Sequence, residues 1–313
     1  MQLTLYTRWA TLLGLLLLLF ILNLSLGSVN IPFADIVRIL FGEAGANIIH
    51  TDIMWEFRMP KALTCILAGS ALSIGGLQMQ TLFRNALAGP DVLGLNSGAS
   101  LAVSLLIMSQ ARVFSIFSNP TPVAIVIAAS IGAGGVFVIV LLIAKRLRDN
   151  TSLLIIGLMM GAATASLVSV LQFLSKAEDQ QAYLLWTFGS LGSLSWMEIQ
   201  ILSLVLIIGF LMGIASVKSL NAWILGDNYA RSIGVNISRS RLLIILSTAI
   251  LTGGVTAFCG PIAFVGLAVP HLTKLIIKTH NHRTLLPAVM LSGGILLLFC
   301  DIIAQLPGST YVL

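Results

Sequence analysis

Between Lys61 and Arg84 the sequence reads ALTCILAGSALSIGGLQMQTLF, residues 62–83, without a single charged side chain. A helix needs about 20 mostly apolar residues to cross roughly 30 Å of hydrocarbon, so this stretch is long enough to span a bilayer. Residues 9–34, 113–144 and 242–273 are equally free of Asp, Glu, Lys and Arg. With 58% hydrophobic residues, 9% charged residues and a mean hydropathy of +1.02, the chain is typical of integral membrane proteins.

The pattern of apolar runs predicts an all-α fold, a polytopic bundle that forms one domain over residues 1–313. The uncharged run from Leu242 divides at Cys259-Gly260-Pro261, because proline cannot donate a hydrogen bond inside a helix. A faint internal repeat is also visible, since both halves contain a glycine pair, a Gly-Pro step and a Gly-Leu step in that order. The nine predicted spans are Ala10–Leu26, Ala62–Leu82, Val92–Met108, Val123–Ala144, Ser152–Leu174, Ile199–Ala215, Leu242–Phe258, Ile262–Ile277 and Leu285–Cys300.

The basic residues predict the orientation, because cytoplasmic loops of membrane proteins are enriched in Lys and Arg. A cytoplasmic N-terminus places 12 of the 17 basic residues inside. These are Arg8, Arg84, Lys145, Arg146, Arg148, Lys218, Arg231, Arg239, Arg241, Lys274, Lys278 and Arg283. The remaining five, Arg38, Arg58, Lys61, Arg112 and Lys176, are expected outside, where Tyr183, Trp186, Phe188 and Trp196 form an aromatic loop. Because the basic residues flank apolar segments, nucleic acid is excluded as a partner.

The spans lack the residues that couple transport to an ion gradient. None carries Asp, Glu, Lys or Arg near its middle; Asp91 is expected at the inner end of one span and Asp301 at the outer end of another. His271 is the one titratable candidate within a span, and we expect it to be a structural hydrogen-bonding residue. The chain also contains no phosphate loop of the form G-x-x-x-x-G-K-[ST]. If the protein pumps, its energy must therefore come from a partner.

Catalytic and metal-binding patterns are missing as well. The sequence has no H-E-x-x-H motif, no paired acidic cluster and no nucleophile elbow, so an intramembrane enzyme would lack its chemistry. Cys65, Cys259 and Cys300 are far apart, each in an apolar run, and are interpreted as small helix-packing residues. We therefore expect no metal site, no cofactor and no catalytic residue.

Three stretches carry a resemblance to a known family. They are RMPKALTCILAGSALSIGGLQMQTLFRNALAGPDVLGLNSGA at 58–99, LGDNYARSIGVNISRSR at 225–241, and GPIAFVGLAVPHLTKLI with the following HNHRTLLPAVMLSGGILLLFCDIIAQ at 260–305. Together they resemble the FecCD or BtuC-like permease subunit of type II ABC importers for ferric siderophores, haem and cobalamin. The resemblance implies a homodimer in the bacterial inner membrane, two ATPase subunits below it and a periplasmic or lipid-anchored substrate-binding protein above it. It also implies ten spans, of which we expect the last to be missing from residues 1–313; whether the sequence is truncated there stays open.

The resemblance assigns a role to the residues at the start of the second span. Arg58 and Lys61 occupy the family's R-x-P-R motif, whose basic residues meet acidic residues of the binding protein. Lys61 departs from the usual arginine and loses the planar fork that binds a carboxylate bidentately. At a third position where the family has an arginine, this sequence has Gln305. Apart from docking, Arg58 and Lys61 could simply be snorkelling residues at a helix start.

Two cytoplasmic elements follow from the same resemblance. The loop Leu225–Arg241 would be the ATPase coupling loop, whose short helix is represented by Leu225, Gly226, Ala230, Arg231 and Gly234. A solvated basic loop is the alternative, but Trp223, Leu225, Ile233 and Val235 are poorly suited to water. The cytoplasmic gate would consist of Asn85, Leu87, Thr151 and Ser152, with Ala86 in place of the family's usual proline. Ser and Thr at a helix start are also ordinary N-caps, and Met159 and Met160 could line the path or serve packing.

The sequence leaves the cargo open among a ferric siderophore, haem and cobalamin, in that order of expectation. An ion-coupled secondary transporter or channel acting alone is the competing hypothesis, and an intramembrane enzyme is the third. The identity of the ATPase and of the binding protein, and the resting conformation, do not follow from the sequence.

Overall fold

The computed structural model describes residues 2–27, 29, 31–42, 47–108, 121–146 and 150–305, which form helices and no strand. Arg112 and Arg148 of the predicted orientation lie outside the described residues, as does the side chain of Lys145. A π-helical turn, Met54–Arg58, precedes α4, and a 3-10 turn, Pro90–Leu93, precedes α5. The helices are α1 Gln2–Ser25, α2 Phe33–Phe41, α3 Ile48–Ile53, α4 Met59–Phe83, α5 Leu95–Met108, α6 Pro122–Arg146, α7 Asn150–Leu174, α8 Ala177–Thr187, α9 Trp196–Ile224, α10 Asp227–Ser232, α11 Ile237–Cys259, α12 Val265–Ile277 and α13 His282–Gln305.

Every predicted span coincides with a helix, but two of the nine are only half-length. Within the described residues, α1, α4, α6, α7, α9, α11 and α13 are long and apolar enough to cross a membrane. The other two, α5 and α12, have 14 and 13 residues, which is about 20 Å of helix each. The predicted break between α11 and α12 is confirmed, because α11 ends at Cys259 and Gly260 adopts a φ of 76°.

Helix α4 lies at the centre of the bundle and packs against α9, α11, α12 and α13. Glycine makes two of these crossings close. Gly69 faces the backbone of Gly293 in α13, and Gly76 faces the backbone of Gly266 in α12. In a membrane, where apolar side chains gain little by leaving lipid for protein, such small residues let helix backbones approach and pack. Gly134, by contrast, has no neighbour within 4 Å of an added Cβ, so not every glycine serves packing.

The centre of the bundle also contains a hydrogen-bonded polar group. The fully buried amide of Gln78 in α4 donates to the hydroxyl of Ser247 at 2.9 Å and accepts from the hydroxyl of Thr248 at 2.9 Å. Ser247 in turn donates to the carbonyl of Gly209 in α9 at 2.9 Å. A buried amide is costly unless it is paired, so this chain of bonds fixes the register of α4, α9 and α11.

The two ends of the bundle differ in charge. One end of the bundle, which we call the basic end, is where α4, α9 and α12 end and where α11 and α13 begin. The guanidinium of Arg8 in α1 also lies there, because it donates to the carbonyl of Ile277 at 2.8 Å. The opposite end, called the distal end, holds α2, α3, α8 and most of the acidic residues. The basic end includes Arg8, Arg84, Lys218, Arg231, Arg239, Arg241, Lys274, Lys278 and Arg283. The acidic residues of the distal end are Asp35, Asp52, Glu56, Glu178, Asp179, Glu198 and Asp301.

The faint repeat in the sequence has a structural counterpart. In the first half, α4 is followed by a loop that contains Gly89-Pro90 and then by the half-length helix α5. In the second half, α11 is followed by Gly260-Pro261 and then by the half-length helix α12. Because α4 runs towards the basic end and α11 away from it, the two units have opposite directions. Inverted repeats with broken helices of this kind are common in transporters.

Candidate functional site

Arg58, a predicted docking residue, lies at the distal end with its side chain turned inwards. It is only 8% exposed and donates to the carbonyls of Leu24 at 2.6 Å and Ser25 at 2.8 Å, and also to that of Val29. A Cβ at Gly27 would lie 2.9 Å from the guanidinium, and Gly27 has a φ of 148°, so glycine is required there. Arg58 therefore holds the chain that leaves α1, and its role in docking stays a prediction.

Lys61, the second predicted docking residue, forms an ion pair inside the protein. Its ammonium group lies 2.8 Å from a carboxylate oxygen of Asp301 in α13, whose side chain is 6% exposed. The other carboxylate oxygen accepts from the amide of Asn23 in α1 at 2.7 Å and from the amide of Gln305. The group therefore connects α1, α4 and α13 at the distal end. Since the Lys61 side chain is still 28% exposed, part of it remains on the surface.

The predicted gate residues occupy two short segments near the basic end. After α4, Arg84 takes a left-handed backbone with φ of 48°, and Asn85 accepts the amide of Leu87 at 2.9 Å. Leu87 is thereby held 72% exposed. Thr151 is exposed and Ser152 half-buried in the first turn of α7, which begins one residue earlier. The structure shows these side chains at helix ends, and their gating role remains a prediction.

After Leu87, the segment that contains Pro90 turns back into the bundle. Pro90 packs against Gly266, and Pro90 Cβ lies 3.5 Å from an added Cβ at Gly75, near the middle of α4. Gly75 is eight residues before the end of α4, so this contact lies about 12 Å inside the bundle. Helix α5 consequently begins at membrane depth and runs only to the distal end. A side chain at Gly266 would block this path, because its Cβ would lie 2.5 Å from Pro90 Cδ, so its absence is what admits the loop.

Asp91 therefore lies deeper than the sequence suggested. It was expected at the inner end of a span, whereas it follows Pro90 in the loop that turns back, with its side chain exposed. The carboxylate accepts the amide of Asn96, whose oxygen accepts the hydroxyl of Thr256 in α11 at 2.6 Å. An ionisable group at this depth is costly and commonly marks a solute path. Sequence reasoning missed it because the depth depends on contacts between distant segments.

A polar cavity lies beyond Asn96, between α5, α7 and α8. Its volume is about 310 Å³. It is lined by Asn96, Ser97, Ser100, Ala165, Val168, Ser169 and Tyr183. The predicted aromatic loop is thus partly interior, because Tyr183 is 4% exposed. This burial raises the pKa of the Tyr183 hydroxyl. Ser97 and Ser100 are three residues apart on one helix face, a spacing that could have indicated a polar wall.

Beside this cavity, the exposed face of α7 carries small side chains in its middle, between large apolar residues such as Leu158 and Phe173 towards its two ends. Ala162, Ala163, Ser166 and Ser169 are exposed, and the two serine hydroxyls donate to carbonyls four residues earlier at 3.0 Å. Lipid-facing helices gain from large apolar side chains, whereas small residues and hydroxyls are typical of faces that meet another helix or water. Met159 is 65% exposed, while Met160 packs with the core, so only Met159 is placed to line a path.

The predicted coupling loop is a short helix held by one buried residue. Glycines bound it, with φ of 106° at Gly226 and 83° at Gly234, values that side chains rarely adopt. Ala230 is fully buried, whereas Arg231 is exposed. The apolar residues of this region differ in burial. Trp223 is completely buried and is therefore a core residue, whereas Val235 is half-buried and packs against the same core. The exposed apolar side chains are Leu225, Tyr229 and Ile233.

No group of three His, Cys, Asp or Glu side chains within the described parts of the chain lies close enough to hold a metal ion. The arrangement offers hydrogen bonding, an exposed carboxylate and apolar surface. These features suit the passage of a solute.

Comparison with known proteins agrees with this description. A model of the FecCD transport family matches residues 15–313. The chain is 35% identical to the hemin transport system permease protein of Yersinia pestis, over 94% of this chain and 86% of that protein. It is 32% identical to the Fe(3+) dicitrate transport system permease protein of Escherichia coli K12, over 91% and 86%. A solved structure described as an inward-facing conformation of a metal-chelate type ABC transporter has a TM-score of 0.78 at 23% identity, covering 96% of this chain and 91% of that one.

Proposed function

The chain belongs to the FecCD transport family, a family of ABC importer permeases, and on that premise we propose that it moves an iron chelate through the bacterial inner membrane. It is a transport subunit, and ATP hydrolysis belongs to a separate ATPase subunit. The observation that carries the cargo proposal is the similarity over nearly the whole chain to permeases named for hemin and ferric dicitrate. Cobalamin remains the alternative cargo, because a vitamin B12 permease of Vibrio cholerae is 33% identical over 82% of the chain.

We propose that the path forms between two copies of this chain, across the exposed face of α7. Two features support this: the small and hydroxyl side chains of that face, and the polar cavity next to it. In a dimer the two copies of Asp91 would both contribute to the path. A chelate crossing there would meet hydroxyl and amide groups that replace part of its hydration shell.

The basic end is proposed to face the cytoplasm, with the N-terminus, in agreement with the excess of Lys and Arg there. The ATPase subunit would then bind α10 through Leu225, Tyr229 and Ile233, with Arg231 at the rim. Because Ala230 anchors this helix in the core, a push on α10 would be passed to the ends of α9 and α11. Asn85, Leu87, Thr151 and Ser152 are proposed to close the path at the same end.

The substrate-binding protein is proposed to dock at the distal end. Lys61 retains exposed surface and can contribute a steering charge there. Arg58 would act by shaping the segment after α1, since its guanidinium is occupied by carbonyl groups.

The function is tested with a tagged chain purified from membranes of cells that produce it. We expect an ATPase subunit to be recovered with it and to be identified by mass spectrometry. Proteoliposomes that contain this complex and its binding protein are then given hemin, a ferric hydroxamate, ferric citrate or cyanocobalamin. ATP-dependent accumulation of one of the iron chelates is the expected result. Accumulation by the permease alone under a proton or sodium gradient would overturn the proposal and favour a secondary transporter.

A further inference from the structure

A second cavity, of about 220 Å³, lies at the basic end between the ends of four helices. We call it the basic pocket. It is lined by Gln80, Thr81, Arg84, Ile224, Lys274, His280, His282 and Leu285. Four of these side chains are basic, and among the lining residues that the structure describes none is acidic; they come from α4, α9, α12, α13 and the connections after α4 and α12. Basic groups brought together from separate elements are typical of an anion site.

The floor of the pocket is rigid. The buried His282 donates from its backbone amide to the side-chain oxygen of Asn221 at 2.8 Å, and its Nδ1 lies 2.9 Å from the same oxygen. Because that oxygen can only accept, Nδ1 must carry a proton. The other ring nitrogen lies 3.0 Å from the hydroxyl oxygen of Thr81, which itself donates to the carbonyl of Leu77 at 2.8 Å. The ring is therefore fixed from both sides and spans from α13 to α9 and α4.

Lys274 supplies the central charge. Its ammonium group donates to the side-chain oxygen of Gln80 at 3.2 Å, and Gln80 in turn donates to the carbonyl of Leu267 at 3.0 Å. Within the described part of the chain, no carboxylate forms an ion pair with Lys274. An ammonium group has three hydrogens to donate, and one neutral amide uses only one of them. A half-buried cation in this situation gains considerably from a bound anion.

We propose that the basic pocket binds a phosphate-type oxyanion. Several convergent donors suit the oxygens of a tetrahedral anion, and a cavity of about 220 Å³ admits a small anion or a lipid headgroup, being smaller than the roughly 300–1,000 Å³ of sites for drug-sized ligands. The Lys274 ammonium is half-buried, and Gln80 and His282 beside it are 4% and 2% exposed, so a compact anion reaches this ammonium more readily than a carboxylate on a partner protein does. The phosphate could be free or belong to an anionic lipid, since basic pockets between helices bind such headgroups.

The basic pocket lies next to the proposed gate and next to α10, so a bound anion would affect both. Arg84 directly precedes Asn85 of the proposed gate, and Ile224 directly precedes Leu225 of the α10 region. The Arg84 guanidinium lies 4.0 Å from an added Cβ at Gly226, so it extends towards α10. A bound anion would therefore hold the end of α4 and the end of α9 in one arrangement. Binding itself does not depend on what the protein transports.

The test uses the full purified chain in neutral detergent, titrated with inorganic phosphate while its melting temperature is followed. Native mass spectrometry then compares retention of phosphatidylglycerol with that of phosphatidylcholine. Lys274→Gln keeps the length and polarity of the side chain but removes the charge, and is expected to weaken the binding of phosphate or phosphatidylglycerol about tenfold, as the loss of a charge-assisted hydrogen bond implies. The matched control is Arg283→Gln, an exposed basic residue of the same end outside the pocket. It should change binding less than about twofold.

The outcomes separate the sources of the anion. Stabilisation by phosphate that Lys274→Gln abolishes supports a free anion, and selective loss of bound phosphatidylglycerol supports a headgroup. Should Lys274→Gln fail to yield folded protein, His280→Ala in the exposed connection takes its place and is expected to lower the affinity in the same direction. Equal binding by wild type and variant, or no binding of either probe, overturns the proposal. An acidic partner protein would then be the better candidate for the pocket.

Discussion

Replacing Gly76 by alanine should separate the two helices whose contact creates the interior loop. An added Cβ at Gly76 would lie 2.7 Å from Gly266 Cα, and closer still to the Gly266 carbonyl, against an optimal carbon–carbon distance of about 3.5–4.0 Å. Both atoms belong to backbone, so no side-chain rotation relieves the clash and α12 must move by roughly 1 Å. Overpacking of this kind typically costs about 1–3 kcal/mol, and a backbone clash belongs at the upper end.

The matched control is Gly134→Ala in α6, where nothing lies within 4 Å of the new Cβ. There the usual helix preference of alanine over glycine should stabilise by about 0.5–1 kcal/mol. Because this helix preference acts in both variants, they should differ by the clash alone, about 3 kcal/mol, or roughly 6–12 °C in melting temperature at the 2–4 °C per kcal/mol typical of domains of 150–250 residues. Thermal unfolding in detergent, followed by light scattering or tryptophan fluorescence, measures the difference. If Gly76→Ala and Gly134→Ala melt together, the close approach of α4 and α12 is wrong.

Three further changes test other parts of the structure. Lys61→Met leaves the carboxylate of Asp301 buried without its cation and should cost about 3 kcal/mol, whereas the double variant with Asp301→Asn should recover most of that loss in melting temperature. Arg231→Glu changes an exposed residue of α10, so it should reduce the ATPase recovered with the permease without changing the melting temperature; undiminished recovery would remove Arg231 from the interface. Asp91→Asn can keep a hydrogen bond to Asn96 but removes a charge from the interior. Each of the two copies removes a unit charge roughly 8 Å from the cargo, which at an effective dielectric constant of about 40 contributes roughly 1 kcal/mol. Uptake of an anionic ferric chelate should therefore rise about thirtyfold relative to a neutral one. An unchanged ratio would place Asp91 away from the path.

The sequence predicted the number and order of the apolar helices because each depends on a local property, the length of an uncharged run. The break at Cys259-Gly260-Pro261 was predicted for the same reason, since proline and glycine act on their own backbone. The family and the transport function are confirmed by the comparisons, because the motifs that carry them are long and nearly continuous.

Long-range contacts could not be predicted from one sequence. The depth of Asp91 depends on the contact of Pro90 with Gly266, which is far away in the chain, and no local pattern signals that the two meet. Trp223 was expected at a partner surface but is completely buried, because an aromatic residue near a helix end is equally suited to either environment. The inward turn of Arg58 likewise depends on where the chain leaving α1 places its carbonyl groups.

The two half-length helices place positive ends of helix dipoles in the centre of the bundle. Both α5 and α12 begin in the interior, and the first turn of any helix presents amide hydrogens equivalent to about half a positive charge. A cargo passing nearby would meet permanent dipoles built into the main chain, which no loss of a proton can switch off. Helix dipoles interact with the charge and polarity of a solute and depend little on its shape. If the proposed path runs past these helix ends, one scaffold would serve chemically different chelates, and selection would be left to the proposed binding protein.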